Sequence, residues 1–136
     1  MLAVFVLFSC KKSGGGTSQP SSGWSELGGT DSSTFHGFVY GINSITTDDN
    51  GNIYAGGAFA NSNGNYYIAK WNGTKWSELG GTNTSTFNNV IQSITTFNNS
   101  YVYGAGGFTN GNGKYYIAKW NGSSWSELGG QQYLHF

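Results

Sequence analysis

The hexapeptide Trp-Ser-Glu-Leu-Gly-Gly occurs three times, at Trp24–Gly29, Trp76–Gly81 and Trp125–Gly130, so its copies start 52 and 49 residues apart. Ahead of the last two copies lies a near-duplication. Ile42–Trp76 aligns with Ile91–Trp125 without a gap, and 21 of the 35 positions are identical. The three-residue difference in spacing falls where His36–Gly41 (HGFVYG) faces Asn88–Val90 (NNV). A period near 50 residues constrains the fold more than composition can. Each unit must bury a face against its neighbour, as propeller blades and solenoid repeats do.

Each unit reads as four short strands. Ile42–Thr47 alternates, with Ile42, Ser44 and Thr46 on one face and Asn43, Ile45 and Thr47 on the other. Asp49-Asn50-Gly51 supplies a hairpin turn, since Asn-Gly tolerates the positive φ that tight hairpins need. Ile53–Phe59 is the second strand, and its glycines point to close backbone approach or a bulge. The polar loop Ala60–Asn65 leads to a third strand, Tyr66–Trp71, in which Tyr67, Ala69 and Trp71 share a face. Asn72-Gly73 then turns the chain into Trp76–Leu79. The second unit repeats this order as Ile91–Thr96, Val102–Phe108, Tyr115–Trp120 and Trp125–Leu128. No stretch sustains a 3.6-residue period, so the expected class is all-β.

The composition agrees. In 136 residues there are 23 Gly, one Pro and 17% aromatics, which suits strands joined by turns and not a disordered chain. Six Lys balance three Asp and three Glu, with no Arg, so a basic nucleic-acid footprint is excluded. A single Cys excludes a disulfide framework or a multi-Cys zinc site.

Residues 1–10 (MLAVFVLFSC) read as a signal segment, because the almost wholly apolar stretch Met1–Ser9 is too short for a bilayer that needs about 20. Leu7-Phe8-Ser9-Cys10 resembles a bacterial lipobox, which implies that Cys10 is lipidated; a plain signal peptide is the alternative. The implied address is the cell envelope or cell surface, with the membrane reached through a lipid anchor, or otherwise secretion. Residues 11–23 form a Gly/Ser linker, and residues 131–136 depart from the repeat.

The order Ile-Tyr, Gly-Gly, polar gap, Tyr, aromatic, turn, Trp-x-x-Leu resembles a kelch-type β-propeller blade. Its matching residues are Ile53, Tyr54, Gly56, Gly57, Tyr67, Trp71, Trp76 and Leu79, then Val102, Tyr103, Gly106, Gly107, Tyr116, Trp120, Trp125 and Leu128. The phrase YYIAKWNG-x-x-WSELGG is similar to repeats of secreted and surface lipoproteins of Bacteroidetes-like bacteria. The resemblance implies an incomplete propeller over residues 24–130. An orphan outer strand at 24–29 precedes blades at 42–80 and 91–129. Propellers have typically 4–8 blades, so either the C-terminus is truncated or several copies associate to close a ring. Tyr54, Tyr67, Trp71, Trp76, Tyr103, Tyr116, Trp120 and Trp125 are expected to pack between blades, with stacking on sugar rings the alternative.

Little in the chain suggests catalysis. His36 and His135 lie far apart with no third ligand, and Glu26, Glu78 and Glu127 occupy one repeat position, so each belongs to a different unit and is expected to meet Lys or water. Asp48–Asn52 reads as a hairpin turn in preference to a calcium loop. No cofactor is expected. In a meander the long loops, Gly29–Gly41, Ala60–Asn65, Gly80–Asn89 and Thr109–Lys114, emerge at one end. Loops of varying length on a constant scaffold suit a binding surface, which makes Phe35, His36, Phe38, Tyr40, Phe87, Asn88 and Asn89 candidate ligand contacts. The reading is a non-catalytic, surface-tethered module that binds a glycan or protein. The alternative is a structural spacer. A propeller oxidase needs a Tyr–Cys cross-link beside copper, and the only Cys is in the signal segment.

Overall fold

Two meanders account for all the regular structure in the described residues, which are 27, 41–81 and 87–129 of a computed structural model. The first sheet runs β1 (Ile42–Thr47), β2 (Ile53–Gly57), β3 (Ala69–Trp71) and β4 (Trp76–Glu78). The second runs β5 (Ile91–Phe97), β6 (Tyr101–Gly106), β7 (Ala118–Trp120) and β8 (Trp125–Glu127). Each is four-stranded and antiparallel, with strands in sequence order. Among the described residues there is no helix. Both sheets belong to the unit Thr34–Phe136. The expected signal segment, linker and tail lie outside the described residues, as does the orphan strand except for Leu27, which sits in a turn.

Turn chemistry fixes the hairpins. In the turns before the last strand of each sheet Gly73 and Gly122 take φ of 97°, and the Oδ1 atoms of Asn72 and Asn121 accept from the backbone amides that follow. The β5–β6 turn lacks glycine and uses Asn98 and Asn99 at φ 51° and 54°, the residue type that best tolerates this conformation. The third strands are shorter than expected. Tyr66 leaves the ladder to bridge Ala60 and Phe87, and Tyr115 to bridge Thr109.

Simple alternation in the first strand of each unit also fails. The register shifts between Ile42 and Ser44, and again between Ile91 and Ser93, so one extra residue is accommodated in each strand. The bulge turns Ile91 and Ile94, three apart in sequence, toward the same glycine. A Cβ on Gly56 would lie 2.7 Å from Ile91 Cγ2 and 3.1 Å from Ile94 Cγ2. In the other direction, a Cβ on Gly104 would lie 3.1 Å from Ile68 Cδ1. Isoleucines of each sheet thus press on glycines of the other, which explains why the second strands carry glycine without being loops.

The core lies between the sheets. Tyr54, Ile68 and Leu79 of the first unit cluster with Phe87, Ile91, Ile94, Val102, Phe108, Ala118 and Trp120. Burying each large aliphatic side chain contributes about 1.5–3 kcal/mol. Polar cross-links set the register between β1 and β5. Asn43 Nδ2 donates to Ile91 O (3.0 Å), Ile94 N to Ser44 Oγ (3.1 Å) and Thr96 Oγ1 to Thr47 O (2.8 Å). Beyond them Asp49 N donates to Asn99 Oδ1 (2.7 Å). Partners advance together along both strands, so β1 and β5 run in the same direction.

Candidate functional site

The long loops of the two units meet at one end. Tyr66 N donates to Phe87 O (3.0 Å), and Asn88 clasps Thr109, its Oδ1 accepting from Thr109 N (2.9 Å) and its Nδ2 donating to Thr109 O (3.2 Å). Each polar loop is built around one asparagine. Asn61 Oδ1 accepts from the amides of Asn63 and Asn65, and Asn110 Oδ1 from those of Asn112 and Lys114. The same side chains donate outward, Asn61 Nδ2 to Glu78 (3.2 Å) and Asn110 Nδ2 to Glu127 Oε1 (2.7 Å). Glu78 and Glu127 therefore each engage a loop amide, and Glu26 lies outside the described residues.

Several expected contact residues do other work. Phe87 is not a surface residue: it is 1% exposed, with its ring 4.7 Å from Phe108 and 5.0 Å from Trp125. Its carbonyl, not its ring, reaches the neighbouring loop. Asn88 is exposed but its amide is spent on Thr109, and Asn89 Oδ1 accepts from Val90 N (2.7 Å). Phe35, His36, Phe38 and Tyr40, together with Cys10, lie outside the described residues.

The aromatic packing is more divided than the sequence suggests. Tyr54 and Trp120 are in the cluster joining the sheets, with Tyr116 and Trp125 half-buried against it. Trp125 Nε1 crosses to Leu79 O at 3.2 Å. Tyr67, Trp71 and Trp76 are buried but outside that cluster; Trp71 faces Trp76 across the β3–β4 ladder, rings 5.7 Å apart. Tyr103, expected between blades, is half-buried in an open groove.

That groove is the site sequence reasoning missed. On the far side of the second sheet a cleft of about 1100 Å³ runs under the Asn110–Lys114 loop, bordered by Tyr115, Ile117, Glu127 and Leu128. It continues into an apolar furrow of about 290 Å³ between Ile94, Tyr103, Ala105, Ile117 and Leu128. Tyr115 is 74% exposed. Ile117 and Leu128 are exposed too, although their counterparts Ile68 and Leu79 are buried by the second sheet. A repeat alignment could have flagged the furrow only by asking which copy has a neighbour on that side.

The electrostatics are quiet. Among the described residues no three His, Cys, Asp or Glu side chains gather where they could hold a metal. Asp48 is the one buried charge there, and it caps its own turn. Its carboxylate accepts from Asn50 N, Asn52 N, Asn52 Nδ2 and the Tyr54 hydroxyl at 2.7–3.0 Å. Burial opposes its charge, but the hydrogen bonds from Asn52, Tyr54 and Asn50 outweigh it and hold the carboxyl below its ordinary range. Burial, then the hydrogen bond and charge of Asp48, push the Tyr54 phenol far above its ordinary value, so it stays a donor. This is turn chemistry and leaves no oxygen of Asp48 facing a ligand.

No protein-family model matches the chain, and no curated protein or solved structure shows significant similarity to it.

Proposed function

We propose that the chain is a non-catalytic interaction module made of kelch-type propeller blades, tethered at the cell envelope through Cys10, and that it binds a protein through the open face of its second sheet. One observation carries this reading. Leu128 is 50% exposed beside Ile117 and the furrow, whereas the equivalent Leu79, 7% exposed, is covered by protein. A surface whose duplicate is a packed interface is shaped to receive another polypeptide. The propeller arrangement is supported by two meanders whose first strands run side by side in the same direction, joined by cross-sheet hydrogen bonds. The non-catalytic reading is supported by the placement of Glu78 and Glu127 in different sheets, each engaged by a loop amide.

A glycan ligand is the second reading. Tyr115 offers a flat, exposed ring beside Asn112, Lys114 and Glu127, a combination suited to sugar C–H faces and hydroxyls. A glycan array and an envelope-protein pull-down on the whole chain, each run beside Leu128→Asp and Tyr115→Ala, separate the possibilities. Protein capture lost in Leu128→Asp is the expected result. Glycan binding that survives Leu128→Asp and disappears in Tyr115→Ala would replace it with the second reading. A chain inert in both assays would be a spacer.

A further inference from the structure

We infer that the polypeptide received by this open face is a second copy of the same chain, docked head to tail. This rests on the reading of the face as a protein-binding surface and names its partner.

The head is the exposed side of β1 in the first sheet. Ile42 and Ile45 are 50% and 64% exposed, whereas Ile91 and Ile94, which flank the equivalent bulge in the second sheet, are 0% and 7% exposed against Gly56. The tail is the furrow bordered by Ala105, Ile117 and Leu128. Internally, a pair of isoleucines meets a seat of this kind. Among the described residues, Ile42 and Ile45 are left as an unmatched pair and the Ala105 furrow as an unmatched seat.

The polar cross-links repeat as well. Within the chain the donors and acceptors are Asn43, Ser44, Thr96 and Asn99, meeting the backbone of Ile91, Ile94, Thr47 and Asp49. At a joint between copies the corresponding residues are Gln92 and Ser93 on the tail, and Thr47 and Asn50 on the head. All four are exposed, and each has the chemistry of its counterpart: amide for amide, hydroxyl for hydroxyl. Isolated hydrophobic exposure would not come with a matched set of hydrogen-bonding partners. A contact using two different surfaces propagates around a ring or along a filament.

One position departs from the internal template. Ala105 stands where the first sheet has Gly56, and a methyl there falls where Ile91 Cγ2 comes within 2.7 Å. The docked Ile42 must therefore stand off by a few tenths of an ångström compared with Ile91. The joint between copies is looser than the joint inside the chain, and removing that methyl should tighten it.

The test is sedimentation velocity on the whole chain carrying Cys10→Ser, so that no lipid drives association. The protein should show concentration-dependent assembly, with Ala105→Gly assembling at lower concentration. Ile45→Asp (head blocked) and Leu128→Asp (tail blocked) should each weaken self-association by about tenfold or more, as expected for a carboxylate set on an apolar face. Mixed, the two variants should form a one-to-one heterodimer, because each keeps the surface the other lacks. A monomer at every concentration overturns the second-copy assignment, as does undiminished self-association of either variant. The apolar dye ANS distinguishes the two levels of failure. A monomer whose ANS fluorescence falls in Leu128→Asp keeps the open face and loses only the partner. A monomer that binds no ANS loses both.

Discussion

The two sheets are built from nearly the same residues and have opposite surroundings. In the first, Ile45 is exposed and Leu79 buried; in the second, Ile94 is buried and Leu128 exposed. Strand order, bulge, the turn before the last strand and the loop asparagines are common to both. Local sequence thus determines the shape of a sheet, while the energetic weight of each residue depends on which side has a neighbour. Identical side chains in a repeat are not equivalent.

The largest break in this comparison should come from truncating one leucine at a time. Leu79→Ala is expected to cost about 2–5 kcal/mol, and Leu128→Ala in dilute solution less than about 0.5 kcal/mol. Urea unfolding of both variants measures the difference, and equal losses would mean that the second face is covered in solution. Next in size is the glycine seat. Gly56→Ala forces a methyl against Ile91 and Ile94 and should cost about 1–3 kcal/mol, the usual penalty of overpacking. Reversing the residue in the other sheet, Ala105→Gly, should cost the dilute chain only the roughly 0.5–1 kcal/mol of placing glycine inside a strand.

The smallest effect separates the two first turns. Asp48 of the first sheet is replaced by Phe97 in the second. Because folding lowers the Asp48 pKa, its contribution is complete above the ordinary carboxylate range and is lost as pH falls through the lowered value. Asp48→Asn should therefore lower stability by about 1 kcal/mol at neutral pH, the scale of a hydrogen-bond loss, and by less in strong acid. A gap that widens on acidification would mean the carboxyl is not held charged. Phe97→Leu should show no such pH dependence.

Much of this was legible in the repeat. A strand at Ile42–Thr47 and one starting at Trp76 were legible from residue pattern and Asn-Gly turns, although β4 stops at Glu78, and the meeting of the described long-loop residues follows from meander geometry. The bulges were not legible, because an added residue at Asn43 or Gln92 leaves no mark in composition, yet the one at Gln92 decides that Ile91 and Ile94 share a seat. Phe87 was misplaced for a related reason. It sits in a loop-like stretch of Asn and Thr, and only the Tyr66 bridge reveals that the segment is pulled inward. The open groove could not be found from residue type at all, since Leu128 and Leu79 stand in the same hexapeptide.

Asn110 uses both ends of its amide, collecting two loop N–H groups on its oxygen and donating from its nitrogen to Glu127. It is followed by Gly111, the neighbour that leaves an asparagine most open to attack by the next backbone nitrogen, and asparagine is among the thermolabile residues. Deamidation there would keep the acceptor but turn the donor into a second carboxylate facing Glu127 at hydrogen-bond range, where like charges repel. The rim of the second sheet would then spring open with age while its folded interior stayed intact. Of the six Asn-Gly pairs in the sequence, Asn110-Gly111 is the one whose amide nitrogen reaches a glutamate, so its ageing would load the rim of the sheet and not its core.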